Sequence, residues 1–241
     1  MIRYFALFLM TILCFGSLSL AESSAQTPDA VAKAFAGRWI TYDRNFATEK
    51  ACELEFASQI KGEIYPIAKK GCSGALATLA GWRIQNNQLV FIAEDNSAIA
   101  LIGGNQERLS GTILQNKLPI IVERQEIAEK IEKARKSIEC SYIGYSQTCA
   151  SPRDFAPPAA TIGSPSPIQI LVNLNARIEP RNNASVKLVL KPNACVSAEV
   201  CTVASDGLWC KVKTENGDAW IKKQTVRQQR WPVITFKNGC S

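Results

Sequence analysis

The sequence predicts a mainly β protein: an eight-stranded antiparallel β-barrel, a connecting helix, a proline-rich linker and a second, smaller β unit. Three observations carry this reading. Eight short strand-like runs alternate with turn signals between Gly37 and Arg124. The stretch 125–139 lacks both Gly and Pro and spaces its apolar residues as a helix does. From Ile168 onward the pattern returns to short β runs, broken by Asp206-Gly207 and Asn216-Gly217, two hairpin signals.

Taken in order, the chain opens with Arg3 and an apolar run from Phe5 to Leu20, with small residues at Ser19 and Ala21. This is the layout of an export signal, predicted over 1–21 with cleavage after Ala21 or, as second choice, after Ala25. The run is short for a membrane span. Residues 22–28 are small and polar, and Asp29 is placed to cap a short helix that ends at Phe35. The eight runs of the first unit are Arg38–Tyr42, Cys52–Ala57, Glu63–Ala68, Ala75–Arg83, Gln88–Ala93, Ala98–Ile102, Arg108–Ile113 and Leu118–Glu123. Turn signals such as Lys61-Gly62, Lys70-Gly71 and Gly103-Gly104-Asn105 separate them. That many strands in fewer than a hundred residues predict a closed barrel, which leaves no exposed sheet edge. In 125–139, Ile127, Ile131, Ala134 and Ile138 lie at helical spacing, and Glu126–Lys130 and Glu129–Lys133 are i,i+4 pairs. Five prolines, Pro152, Pro157, Pro158, Pro165 and Pro167, mark 150–167 as a stiff, extended spacer. Strands are then predicted at Ile170–Ala176, Lys187–Leu190, Val196–Ala204, Leu208–Lys213 and Asp218–Lys222.

Composition narrows the function classes. The chain contains no histidine, which excludes Ser-His-Asp and Cys-His mechanisms. It shows no phosphate loop, nucleophile elbow or paired metal motif, so no enzyme activity, cofactor or metal is predicted. The net charge of +7 is uneven: 28–124 carries eleven basic and ten acidic residues, whereas 166–241 carries eleven and five. An exported basic domain fits an anionic envelope polymer or a lipid surface rather than nucleic acid. Of nine cysteines, Cys14 falls in the export signal, and the remaining eight predict disulfides. Cys201 and Cys210 flank the Asp206-Gly207 turn, which folds them to within one residue of direct opposition. Cys140 and Cys149 are predicted to pair locally, pinning the end of the helix.

The first unit also has a recognisable order of residues. Ala36-Gly37-Arg38-Trp39 opens its first strand, followed by Cys52-Glu-Leu-Glu-Phe, Gly71-Cys72 and Gly81-Trp82-Arg83-Ile84. Over about Asp29–Arg124 this order resembles the alkaline proteinase inhibitor (Inh) family of Gram-negative bacteria. The resemblance implies a barrel closed by one disulfide, Cys52–Cys72, and inhibition of secreted, serralysin-type zinc metalloproteases. In that family the segment before the barrel enters the protease cleft, where the free amino terminus can take the open zinc position. The matching residues are Glu22, Ser23, Ser24, Ala25, Gln26 and Thr27; Glu22 departs from the small first residue of the family. Trp39 and Trp82 read as core or barrel-plug side chains.

Residues Leu174-Asn175-Ala176-Arg177, Leu208-Trp209-Cys210-Lys211-Val212 and Gly217-Asp218-Ala219-Trp220-Ile221 resemble a bacterial SH3-like domain over about Ile168–Val226. That resemblance implies a small SH3-like β-barrel. It also implies a shallow groove at Arg177, Trp209 and Trp220 for a cell-wall peptide, an anionic envelope polymer or a protein partner. The alternative puts Trp220 in the core and Trp209 half-covered on a strand. With the other six cysteines assigned, elimination pairs Cys195 with Cys240. The expected organisation is therefore an export signal over 1–21, an inhibitor-like barrel domain over 22–124, a helix and disulfide loop over 125–149, a linker over 150–167 and an SH3-like domain over 168–241. The expected function is periplasmic or secreted inhibition of zinc metalloproteases. The alternative is a non-inhibitory envelope-binding or structural protein.

Overall fold

The structure, a computed structural model, describes residues 28–86 and 88–240. The export signal expected over 1–21 and the segment Glu22–Thr27 lie outside the described residues. A helix, α1 (Pro28–Phe35), leads into eight strands: β1 (Gly37–Thr41), β2 (Cys52–Phe56), β3 (Tyr65–Lys70), β4 (Leu79–Gln85), β5 (Gln88–Ala93), β6 (Ala98–Gly104), β7 (Arg108–Ile113) and β8 (Pro119–Arg124). Each pairs antiparallel with its sequence neighbour, and β1 pairs with β8 through Trp39↔Arg124 and Ile40↔Glu123, so the barrel is closed. Period-two patterning drives this: in β2, Cys52, Leu54 and Phe56 are buried while Glu53 and Glu55 are exposed. The run expected as one strand over Ala75–Arg83 begins instead with a 3-10 turn, Gly74–Thr78. Gly111 is required by close approach, since a Cβ there would sit 2.0 Å from the Leu101 carbonyl oxygen on β6.

Aromatic side chains fill the barrel. Trp39 and Trp82 are fully buried, and Phe56 lies between them with ring centroids at 5.5 and 6.2 Å. Tyr65 stacks on Trp82 at 4.7 Å, and Phe91 meets Phe56 edge-on at 5.8 Å. Disulfide Cys52–Cys72 ties the start of β2 to the loop after β3. Its 20-residue separation corresponds to about 3 kcal/mol in the chain-entropy view.

A second helix, α2 (Gln125–Lys136), follows β8 without a break. It ends three residues short of the expected Glu139, and Ala128 is its buried side chain while Ala134 is exposed. The remaining strands are β9 (Tyr142–Ile143), β10 (Ser166–Ile170), β11 (Leu174–Arg177), β12 (Val186–Leu190), β13 (Cys195–Ala204), β14 (Gly207–Lys213), β15 (Ala219–Lys222), β16 (Gln224–Arg227), β17 (Trp231–Ile234) and β18 (Phe236–Asn238). They form a seven-stranded sheet in the order β12-β11-β15-β14-β13-β10-β18 and a three-stranded sheet in the order β16-β17-β9. The single strand expected over Ile170–Ala176 is two, β10 and β11, in different places in the sheet. Pairings Cys140–Cys149, Cys195–Cys240 and Cys201–Cys210 are present, the last within the β13–β14 hairpin with its cysteines directly opposed. Four disulfides fit an oxidising compartment. Among the described residues no helix is long and apolar enough to cross a membrane.

Residues 150–167 are not an extended spacer. Pro152–Phe155 forms one 3-10 turn, with Ser151 and Asp154 bonding reciprocally as a capping box and Pro152 at its first position. Pro158 is buried, and Ser166 and Pro167 already belong to β10. The Asn238 amide donates to the carbonyls of Ala156 and Pro157 at 3.2 and 3.1 Å, which holds the segment onto β18. The Cys140–Cys149 loop is likewise drawn in, since β9 pairs parallel with β17.

Lys223 sits beneath this strap. It is 2% exposed, its Nζ donates to Asn238 Oδ1 at 3.1 Å, and it lies 4.4 Å from the centroid of the Phe236 ring. Burial pulls its pKa down to about 8, with Asp154 opposing the shift. A folded-state pKa below that of the unfolded chain means that the charged form weakens the fold. Stability is therefore expected to rise as pH increases from about 8 to 10. Lys223→Met should flatten this rise in chemical-denaturation midpoints measured across that range.

Candidate functional site

At one end of the barrel α1 is locked in place. Ala32 is buried in the barrel core, with Val31 and Phe35 packed against it. The last carbonyls of a helix lack intrahelical partners. Here Arg124 supplies them: Nη1 donates to the Ala36 carbonyl at 2.6 Å and Nη2 to the Ala34 carbonyl at 3.0 Å, while Nε donates to Gln106 at 3.1 Å. Its guanidinium lies 4.2 Å from the centroid of Trp39, whose Nε1 donates to the Phe35 carbonyl at 2.8 Å. A cation at a helix C-terminus also meets the negative end of the dipole. Gly37, at φ +106, lets the chain turn from helix to strand beneath Arg124. At the start of the helix, the Tyr65 hydroxyl donates to Asp29 Oδ1 at 3.4 Å. Glu22, Ser23, Ser24, Ala25, Gln26 and Thr27 precede this helix, outside the described residues.

A second constellation joins the barrel to the C-terminal sheet. Arg108 and Glu123 are opposed on the outer face of β7 and β8. Arg108 Nη2 lies 2.6 Å from Glu123 Oε1 and 2.8 Å from Asp206 Oδ1, and Nη1 donates to the Pro180 carbonyl at 2.8 Å. Glu123 also accepts from the Ser205 backbone N–H at 2.6 Å and from its hydroxyl at 2.7 Å. Asp206 accepts from Trp209 Nε1 at 3.0 Å and Asn182 Nδ2 at 3.2 Å, and pairs with Lys222 at 2.8 Å. Nearby, buried Asp43 accepts from the Thr202 hydroxyl at 2.7 Å. Burial alone would raise the Asp206 pKa, but Lys222 and Arg108 outweigh it and hold the carboxyl at about 2. The Arg108 pKa is raised: burial works against this, and Asp206 and Glu123 prevail.

The three residues expected to form a groove share one face of the seven-stranded sheet, because Arg177 opposes Trp220, Trp220 opposes Lys211 and Trp209 opposes Lys222. That face meets the barrel. Trp209 is 1% exposed and clusters with Ala204 and with Ile121 of β8, while Trp220 packs at the edge of the cluster. Trp209 is therefore packed in the interface core, and its remaining edge lines, with Arg177 and Lys222, a crevice of about 380 Å³ that Trp220 does not line. Of the two tryptophans, Trp220 is the half-exposed one, beside a crevice lined by Lys211 and by Thr112 and Pro119 of the barrel. Arg177 donates to the Ala184 carbonyl at 2.6 Å, which orients it toward its own loop.

Sequence reasoning missed Asp43, Arg108, Glu123, Asp206 and Lys222 as a group. One signal was present: Pro119-Ile-Ile-Val-Glu in β8 is buried at all five positions and does not alternate, the mark of a strand covered on both faces. Asp206-Gly207 was legible only as a hairpin turn.

Removing one partner of a buried pair leaves an uncompensated charge. Arg108→Ala is expected to cost about 3–5 kcal/mol in urea unfolding. Asp206 has a folded pKa below that of the unfolded chain, so its contribution is full above about pH 5 and lost as pH falls toward 2. Asp206→Asn should remove about 2 kcal/mol of the acid-dependent loss of stability across that window, measured by unfolding at stepped pH.

No family model and no curated protein matches the chain, so its function is argued from its own residues.

Proposed function

We propose that the chain is a periplasmic or secreted inhibitor of serralysin-type zinc metalloproteases. In this reading Glu22–Thr27 enters the protease cleft and the barrel forms a rigid stop. One observation carries it: α1 is clamped to the barrel end by Arg124 and Trp39, so a segment in front of Pro28 starts from a fixed point. Preorganisation of that kind reduces the ordering cost of binding in a narrow cleft. A free amine at the segment's end has the chemistry to occupy an open position on a protease's zinc. Residues 168–241, read as an SH3-like domain, would dock the inhibitor to an envelope partner.

A second reading, a non-inhibitory envelope-binding protein, is favoured by the +6 charge of residues 166–241. An anionic polymer is the partner that charge suits.

Titration of a serralysin-type protease separates the two readings. The processed protein is expected to inhibit stoichiometrically. Deleting Glu22–Thr27 should weaken inhibition by about a hundredfold or more, roughly 3 kcal/mol, with the melting temperature unchanged. Arg124→Ala, which frees the helix end, should weaken it by about tenfold. Equal inhibition with and without Glu22–Thr27 would overturn the mechanism, and no inhibition at all would leave the envelope-binding reading in its place.

A further inference from the structure

A cleft of about 630 Å³ lies between the Cys140–Cys149 loop and the β16–β17 hairpin. Two large aromatic side chains stand exposed in it, Tyr145 at 62% and Trp231 at 41%. Both are braced. The Tyr145 hydroxyl accepts from the Asn173 backbone N–H at 3.3 Å, and the Arg227 guanidinium lies 5.4 Å from its ring centroid. Arg227 is itself tied to the Asn173 carbonyl at 3.3 Å. Trp231 is flanked by Tyr142, with centroids 6.0 Å apart, and by Arg230 at 5.0 Å.

The walls are built as firmly as the rings. The loop is closed by its disulfide, and Gly144, at φ +60, lies so close to Leu171 that a Cβ would fall 2.9 Å from the Leu171 Cβ. At the hairpin tip Gln228 and Gln229 hold φ values of 49° and 56°, a region that non-glycine residues rarely adopt. Rings fixed in a binding pose avoid the ordering cost of association.

The chemistry of the lining selects a ligand class. Arg227 is the charged residue of the lining, Arg230 stands behind Trp231, and among the described residues no carboxylate lines the cleft. Ser146, Gln147 and Gln228 offer hydroxyl and amide groups that both donate and accept. An extended peptide would need a free strand edge on this wall. β9 offers none, because β17 pairs with one edge and Tyr142 bridges Cys149 on the other. Among the described residues β16, the outer strand of that sheet, pairs with β17 alone, so an acidic peptide is the competing ligand in the titration.

We propose that this cleft binds an acidic saccharide. A sugar ring lies against Trp231 with Tyr145 as a second platform, its hydroxyls meet Gln147 and Gln228, and its carboxylate meets Arg227. Such a ligand has an apolar ring face, several hydroxyls and a negative charge, and it uses each feature of the lining. The site is separate from α1 and the segment before it, so it stands whether or not the chain inhibits a protease.

Trp231 is the most exposed tryptophan, so fluorescence quenching reports on the cleft. The purified protein would be titrated with tri-galacturonate, with maltotriose as the neutral counterpart and poly-L-glutamate as the acidic peptide. Saturable, salt-sensitive binding of tri-galacturonate is expected, with maltotriose and poly-L-glutamate each weaker by about tenfold. Trp231→Ala should abolish binding in calorimetry and Trp231→Phe should retain most of it. Arg227→Gln should reduce it about tenfold and remove its preference for the acidic sugar. Circular dichroism of each variant controls for folding, and Arg227→Gln carries the test if Trp231→Ala misfolds. No saturable response to tri-galacturonate, or binding unchanged in the two binding-deficient variants, would overturn the proposal. Equal binding of poly-L-glutamate would overturn it in favour of a general anion surface.

Discussion

The Arg108 guanidinium is shared between Glu123, its cross-strand neighbour on the barrel, and Asp206, at the tip of a hairpin in the C-terminal sheet. Desolvating these charges is costly, and the cost is recovered only when every partner is in place. Ser205, Pro180, Asn182, Trp209 and Lys222 complete the set, so two cations face two carboxylates and the remaining oxygens are hydrogen-bonded. A partly made network of this kind is worse than an apolar contact. The two β units are consequently held in one relative position. Ile121, Ala204 and Trp209 pack beside the charges, and Arg135 of α2 donates to the Ser205 carbonyl at 3.0 Å, so the connecting helix is drawn into the same junction.

This junction changes how the connecting segments are to be understood. A chain of 241 residues with five prolines in its middle reads as two beads on a spacer. The bonds cross that boundary repeatedly: β9 pairs with β17, Asn238 holds Ala156 and Pro157, and Asp43 of the barrel accepts from Thr202 of the sheet. Pro152 starts a 3-10 turn, Pro158 is buried and Pro167 already lies in β10. The α1 end of the barrel and the Tyr145–Trp231 cleft are built from different residues, so neither depends on the other for its shape.

Much of the barrel was legible because its information is local. Alternation in Cys52-Glu-Leu-Glu-Phe and the glycine turns define strands and their inward faces, and a closed ring is the arrangement that leaves eight short strands without an edge. The cysteine pairs were legible for a related reason. Cys201 and Cys210 are brought together by a turn written between them, and with Cys52–Cys72 taken from the inhibitor-family resemblance the last pair, Cys195–Cys240, follows by elimination. The amphipathic stretch after Arg124 was legible as a helix, although its docked face is set by Ala128 rather than by the four positions its spacing suggests.

The sequence by itself determined the strand periodicity of the barrel and the two local cysteine pairs, Cys140–Cys149 and Cys201–Cys210, because each follows from neighbours in the chain. Only the tertiary structure decided that Trp209 is buried against Ile121, that Arg177 turns to its own loop and that Tyr145 and Trp231 face one cleft. Those outcomes depend on which outer faces of the two units meet, and the meeting is set by charges 98 residues apart in the chain, Arg108 and Asp206. An Asp-Gly pair carries a turn signal wherever it occurs. That its carboxylate would be buried against an arginine on another sheet is a property of the assembled surfaces, where desolvation and pairing are settled together.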